Sequence, residues 1–288
     1  MKLQKQNGPI SNRNRINRNW LSVAALGFMT LAMFMIQGCN GCSEKGAVSD
    51  STKPATTETV KDEPAPAKGD KPMPDPATLG ELKGIVKFAG AVPPRVKVAL
   101  TTECRKGAIA EIEREDVIVN SNGTLKNVFV YIKKGDAITG LAFPVPEAPV
   151  VLDQAGCQYV PHVFGIQTGQ QLQIKNSDNA THNVNMPGGK NQGINTAQPA
   201  NSPPIIVKLK KPETKVLLKC DMHPWMSAFA NIVPHPFFFV TGDSGEFTIK
   251  NVPPGKYTVE AIHEIYGAKT VEVEVAPKAT ASTEFTYK

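Results

Sequence analysis

From Gly80 onward, apolar and polar positions alternate with a period of two in short runs separated by Gly and Pro. Alternation of that length predicts half-buried β-strands. Leu82–Phe88, Val96–Leu100, Asn127–Ile132, Ile205–Leu209, Lys215–Lys219, Phe247–Lys250, Tyr257–Ile262 and Thr270–Val275 all read this way. Only Ala108–Glu113 predicts a helical turn or two. Many short strands with regular turn signals imply an all-β fold of sandwiches. One sandwich needs about 100 residues, and residues 80–288 hold about twice that. Two units are therefore expected.

The first 79 residues follow a different pattern. Lys2, Lys5, Arg13, Arg15 and Arg18 precede an uncharged, mostly apolar run from Leu21 to Ile36, which ends at Gln37, Gly38 and Cys39. The run is shorter than the roughly 20 residues of a membrane span and stops at a small-residue site, as a secretory signal does. It resembles a bacterial lipobox, with Gln37 where a small residue is usual. That resemblance implies a signal peptide over 1–38 and lipidation of Cys39. An ordinary signal peptide and a single membrane anchor are the alternatives. Asn40, rather than Asp, follows Cys39, which points to the outer membrane more than the inner one. The expected place is thus the bacterial cell envelope, facing the periplasm or the surface. Residues 39–79 are rich in Pro, Thr, Lys and Glu and poor in large apolar groups. Such a stretch buries too little surface to offset its ordering entropy, so a disordered tether is expected there. Removal of the leader also changes the charge. The whole chain carries 32 basic and 26 acidic residues, net +6. The leader holds five basic and no acidic residues, so the mature chain is near neutral. No basic cluster interleaved with aromatics suggests nucleic-acid binding.

Candidate chemistry concentrates in one loop. Cys220, His223 and Met226 stand at C-x2-H-x2-M spacing just after the run ending at Lys219, and His182 lies some forty residues upstream. One Cys and two His in a plane with a weak axial Met is the ligand set of a blue-copper site. Zinc would take the Cys and both His but would want a fourth N, S⁻ or O donor rather than a thioether. The loop has one cysteine, against the two of a binuclear copper centre. The other histidines, His162, His235 and His263, are scattered, so the His clusters of copper oxidases and nitrite reductases are missing from the pattern.

The spacing resembles the cupredoxin family, and the short amicyanin-like ligand loop in particular. The likeness extends through Tyr159–Asn176, which is similar to the strand, Gly turn and strand that open that fold, and then through Asp178 to His182. It implies a cupredoxin Greek-key sandwich over 146–234 holding one type 1 copper at His182, Cys220, His223 and Met226. Asn183 is then a neighbour that bonds the ligand loop. The loop implies a pole where a redox protein partner, such as a c-type cytochrome, docks over Pro224 and Trp225, with the open edge of His223 as the electron exit. The alternative reading is a non-redox binding or structural sandwich, or a copper-storage protein. An electron carrier is expected rather than an enzyme.

A second resemblance lies downstream. Thr241, Gly245, Phe247, Ile249, Val252, Pro253, Pro254, Gly255, Tyr257 and Val259 are similar to the middle hairpin of carboxypeptidase regulatory-like, transthyretin-like sandwiches. The segment 235–288 is short for that domain. Its missing strands could come from 80–145, which would make the copper unit an insertion in a discontinuous sandwich. Three consecutive β segments are the simpler arrangement, and both remain open. Among the cysteines, Cys104 and Cys157 are left as a candidate disulfide, favoured where an exported chain meets an oxidising compartment; two buried thiols are the alternative. Cys42 has no evident partner. His162, His235 and His263 read as structural or surface residues.

Overall fold

In the computed structural model, residues 69–105 and 109–288 are described. The leader, Cys39, Cys42 and most of the tether lie outside them. The strands in chain order are β1 Gly80–Phe88, β2 Lys97–Ala99, β3 Glu111–Glu113, β4 Phe129–Gly135, β5 Val150–Gln154 and β6 Tyr159–Val160. Then come β7 Val163–Gln167, β8 Gln171–Asn176, β9 His182–Met186, β10 Ile194–Gln198, β11 Ile205–Lys208 and β12 Glu213–Lys219. The last six are β13 Ser227–Val233, β14 Phe238–Val240, β15 Glu246–Val252, β16 Gly255–His263, β17 Gly267–Val275 and β18 Thr280–Tyr287. The protein is all-β: three short 3-10 turns are the helical elements among the described residues.

The strands form two face-to-face pairs of sheets. In the first sandwich, a five-stranded sheet β10-β9-β12-β13-β7 faces a four-stranded sheet β11-β8-β5-β6. Leu152, Leu172 and Ile174 from one sheet meet Ile166, Val184, Leu218, Ala230 and Ile232 from the other in one core. In the second sandwich, β15-β1-β18 faces β14-β4-β16-β17. Leu82, Val86, Phe247, Ile249 and Phe285 on one side close over Val130, Ile132, Tyr257 and Val259 on the other. Strands β1 and β4 therefore pair with strands more than a hundred residues later, while β5 to β13 pair among themselves.

A third apolar cluster joins the two sandwiches. Phe129, Val163, Val233 and Ile262 are buried there, with Phe229 and Phe238 packed against them. Gly165 on β7 is needed at this seam, because a Cβ would overlap the rings of Phe238 and Phe129. His162 beside β7 also crosses it, with Nε2 2.5 Å from Glu264 Oε1 and Nδ1 2.9 Å from the Ser227 carbonyl.

Two expectations change. The segment expected to end in a helical turn at Glu113 contains strand β3, paired with β2 in a two-stranded hairpin. Ile112 packs against the first core while Glu111 and Glu113 face solvent, and Lys97 bonds Glu111 at 2.7 Å. That is alternation of period two, which three residues are too few to distinguish from a helical turn in sequence. The tether, expected to reach residue 79, is structured in its last stretch. The Lys71 amide donates to Gly140 O at 3.1 Å, and the Lys71 carbonyl accepts from the Ala142 amide at 2.8 Å. Met73 packs on the second core, and the Asp75 carboxylate caps the turn Pro76–Thr78.

Candidate metal centre

Strand β9 starts at His182, and its antiparallel pairing with β12 sets Asn185 opposite Lys219. Cys220 follows β12 directly, and Met226 precedes β13. The loop between is closed by two backbone bonds, Cys220 N to Met226 O at 3.1 Å and Met226 N to His223 O at 2.9 Å. Strands pinned on both sides thus hold three residue types of the predicted ligand set in one tight turn. Cys220, His223 and Met226 are nearly fully buried and His182 is fully so.

The donor atoms converge. His182 Nδ1 lies 3.0 Å from His223 Nδ1, and Cys220 Sγ lies 3.6 Å from the latter. Together the Cys thiol and the two imidazoles lie within 4.8 Å of one another. A buried S, N, N set of this size fits a soft or borderline metal such as copper. Met226 is buried on the same turn, whereas Met222, inside the Cys–His spacer, is half exposed. Met186 points into the apolar core.

Neighbouring polar groups orient the donors. Asn183 Oδ1 accepts from the Asp221 amide at 2.7 Å and lies 3.4 Å from Cys220 Sγ. Its amide nitrogen donates to Asp221 Oδ2 at 3.0 Å. Asn183 thereby straps β9 to the start of the ligand loop. Asp178 holds the other histidine. Its Oδ2 is 3.1 Å from His182 Nε2, and its two oxygens accept from the Gly156 and Cys157 amides at 2.7 Å each. Sequence reasoning left Asp178 without a role, although it stands four residues before His182 in the quoted pattern.

These contacts set the charges. Burial opposes ionisation of the Cys220 thiol, but His182, Asn183 and His223 outweigh it and bring its pKa down to about 6. Burial likewise opposes charging His182, yet the Asp178 carboxylate and the Cys220 sulfur push it up to about 9. The two shifts support each other: the Cys220 thiolate favours a charged His182, and His182 favours the thiolate. Asp221 is held low, at about 2, by hydrogen bonds from Lys219 and Asn185.

The structure differs from the resemblance at the outer edge of His223. That edge was expected to open onto an apolar docking face. Here His223 is only 3% exposed. Its Nε2 faces Cys104 Sγ at 3.4 Å and Glu103 Oε1 at 3.6 Å. Cys104 and Cys157 form a disulfide, with Cα atoms 5.7 Å apart. Trp225, expected on the docking face, is half-buried against the first core and donates its indole N–H to the Cys157 carbonyl at 2.9 Å. Pro224 is exposed. The segment bearing Cys104 covers the His223 edge that the resemblance implies is open.

The other three histidines are buried and bonded. His162 joins Glu264, and His235 donates from Nε2 to the Ile132 carbonyl at 2.9 Å. His263 Nδ1 accepts from the Ile265 and Tyr266 amides. A cleft of about 780 Å³ lined by Lys133, Phe143, Gln167, Glu213 and His235 contains none of the candidate donors.

No protein-family model matches the chain, and no curated protein matches it either. Among solved structures it is similar to a copper-containing nitrite reductase from Thermus scotoductus SA-01, at 18% identity and a TM-score of 0.28. That match covers 35% of this chain and 25% of the reductase, so the chain spans about a quarter of that protein's length. A purple cupredoxin from Nitrosopumilus maritimus is similar at 16% identity over 29% of this chain and 99% of its own, with a TM-score of 0.25. An oxidized point mutant of amicyanin is similar at 15% identity over 36% of this chain and 98% of its own, with a TM-score of 0.28.

Proposed function

We propose that this protein is a one-electron carrier built on a single type 1 copper, tethered to the bacterial cell envelope through lipid on Cys39. The observation that carries the metal reading is the convergence of the His182, His223 and Cys220 donors inside a buried, strand-pinned turn. His182, Cys220 and His223 would hold the metal, with Met226 as the weak axial ligand. Copper, when bound there, supplies reversible exchange between Cu(I) and Cu(II). The protein's own part is to keep the ligands from moving. Asn183 and Asp178 fix the loop and one imidazole, and partners of that kind tune a bound metal. The β5–β13 sandwich is a copper unit carried between the two halves of a regulatory-like sandwich. Its partner is a redox protein of the envelope, engaged through a small, transient interface.

The test is one absorption and EPR spectrum of the copper-loaded chain. A strong thiolate charge-transfer band in the red with one copper per chain is expected. Cys220→Ala should remove the band and leave the cooperative unfolding transition in place. A band that survives this substitution would end the assignment. Met226→Leu should raise the reduction potential and keep the colour. Recovery of the wild-type chain as a freely soluble periplasmic protein would refute the anchoring.

A further inference from the structure

The disulfide touches the outer nitrogens of both candidate histidines. Cys104 Sγ is 3.4 Å from His223 Nε2, and Cys157 Sγ is 3.9 Å from His182 Nε2. His223 presents Nδ1 to Cys220 and His182 and Nε2 to this sulfur pair, whereas His182 Nε2 is held by Asp178 Oδ2 at 3.1 Å with Cys157 Sγ farther off. Cys104 Sγ, Cys157 Sγ and His223 Nε2 form a donor group of their own, all within 4.8 Å of one another and all buried.

The element that brings Cys104 there is held to the rest of the molecule by packing and by the disulfide rather than by sheet pairing, among the described residues. Among the described residues, β2 pairs with β3 and with no other strand. The backbone bonds that shape the segment close within it: Leu100 N to Ala110 O, Cys104 N to Thr101 O and Arg114 N to Val96 O. Leu100 and Ile112 pack on the first core. A narrow crevice lined by Ile112, Arg114, Tyr159, His162, Trp225 and Met226 runs under its edge. The disulfide is the covalent tie that keeps the hairpin seated over the histidines.

We propose that the Cys104–Cys157 pair is a second, redox-gated site for a soft monovalent metal such as Cu(I). The site is closed while the disulfide is intact and opens when a dithiol reductant cleaves it. The proposal goes beyond the electron-carrier reading and shares only His223 with it. In the opening step the Sγ–Sγ bond breaks, two electrons and two protons pass from the dithiol to Cys104 and Cys157, and the reductant becomes a disulfide. Metal binding then displaces the two thiol protons and leaves two thiolates as ligands. Thiolate ligands select Cu(I), and imidazole suits it as a third donor. Zinc would want four donors. With His223 Nδ1 already engaged, its Nε2 proton leaves past Glu103, 3.6 Å away, to solvent.

The test counts copper bound by the full chain under anaerobic conditions, as Cu(I) in competition with a chromophoric chelator. A trialkylphosphine serves as reductant and is removed before copper is added, because it binds Cu(I) itself; it leaves as phosphine oxide, its oxygen supplied by water. One copper per chain is expected before reduction and two after, with two additional thiols titrated. The double variant Cys104→Ser, Cys157→Ser should bind one copper under both conditions. Cys220→Ser should bind copper only after reduction, so failure of the type 1 reading and failure of this one are separately visible. A wild-type count that stays unchanged once the new thiols are titrated overturns the proposal. So does a disulfide that resists the phosphine in the folded chain.

Discussion

Phe237, Phe247, Tyr257 and Tyr287 are fully buried in the second sandwich and fill it with rings. At the corresponding depth the first sandwich holds Asp178, His182, Asn183, Cys220 and His223. These five side chains are each hydrogen-bonded to one another or to backbone. Buried polar groups cost free energy unless partnered, so that region buys its chemistry with a dense set of fixed contacts. The second region contains two buried histidines as well, His235 and His263, but each serves backbone amides or carbonyls and stays neutral. The contrast separates two uses of the same side chain. A histidine that bonds backbone holds a fold together, whereas one that bonds a carboxylate and a sulfur is held ready for a metal.

Truncating a ring in the second sandwich should give the largest effect. Phe247 lies tilted against Phe285, with centroids 6.2 Å apart, and covers Gly84. Phe247→Ala should lower unfolding free energy by about 3–5 kcal/mol, measured by chemical denaturation, while the charge-transfer band of the folded, copper-loaded chain stays unchanged. A change in that band would show that the two regions are not separable.

Acid should act next, and through the second sandwich. Burial pushes His235 and His263 down to about 4, with the His162 and Lys215 charges adding to the effect at His263. Between about pH 6.5 and 4 the unfolded chain takes up protons that the folded chain does not, so stability present above pH 6.5 is lost as pH falls. The loss should be on the order of a few kcal/mol. His162 has the opposite sign. Burial lowers its pKa but Glu264 more than reverses this, so it is raised, and its contribution, full below pH 6.5, fades as pH rises. Denaturation of the metal-free chain across pH 4.5–7.5 reads the acid limb. A flat profile there would contradict the assignment of neutral histidines.

Within the first sandwich, Asp178→Asn keeps the shape but removes the charge that faces His182. Copper affinity should fall by roughly 10–100-fold, read by chelator competition, with the spectrum of the loaded site preserved. Equal affinity would mean that the backbone alone positions His182. Smallest of all should be Lys87→Ala, which removes the pairing of Lys87 with Glu284 at 2.6 Å on a half-exposed surface. Its cost should lie within about 1 kcal/mol by the same denaturation assay.

The sequence made some of this legible because the relevant residues are neighbours. Cys220, His223 and Met226 occupy one short loop, so their spacing, joined to His182 upstream, points to a candidate metal site. The strands with strong period-two alternation, such as β16 and β17, were equally visible. What lay hidden depends on distance along the chain. Cys104 and His223 are 119 residues apart, and no local pattern says that a hairpin lies over an imidazole. Strand β18 is mostly Thr, Ser and Ala, with Phe285 and Tyr287 as its buried anchors. Its identity as a strand comes from eight parallel pairings with β1, not from its own hydrophobicity.

That pairing has a consequence for how the chain is made. Strand β1 lies between β15 and β18 in its sheet, so it waits for partners made much later in synthesis. Loops that long are slow to close, whereas β5 to β13 find every sheet partner within residues 150–233. The β5–β13 half therefore completes its own hydrogen bonding while β1 is still an unpaired edge. That edge is sealed only once β15 and β18 have been made, and their pairing sets Glu81 on β1 beside Thr280 on β18.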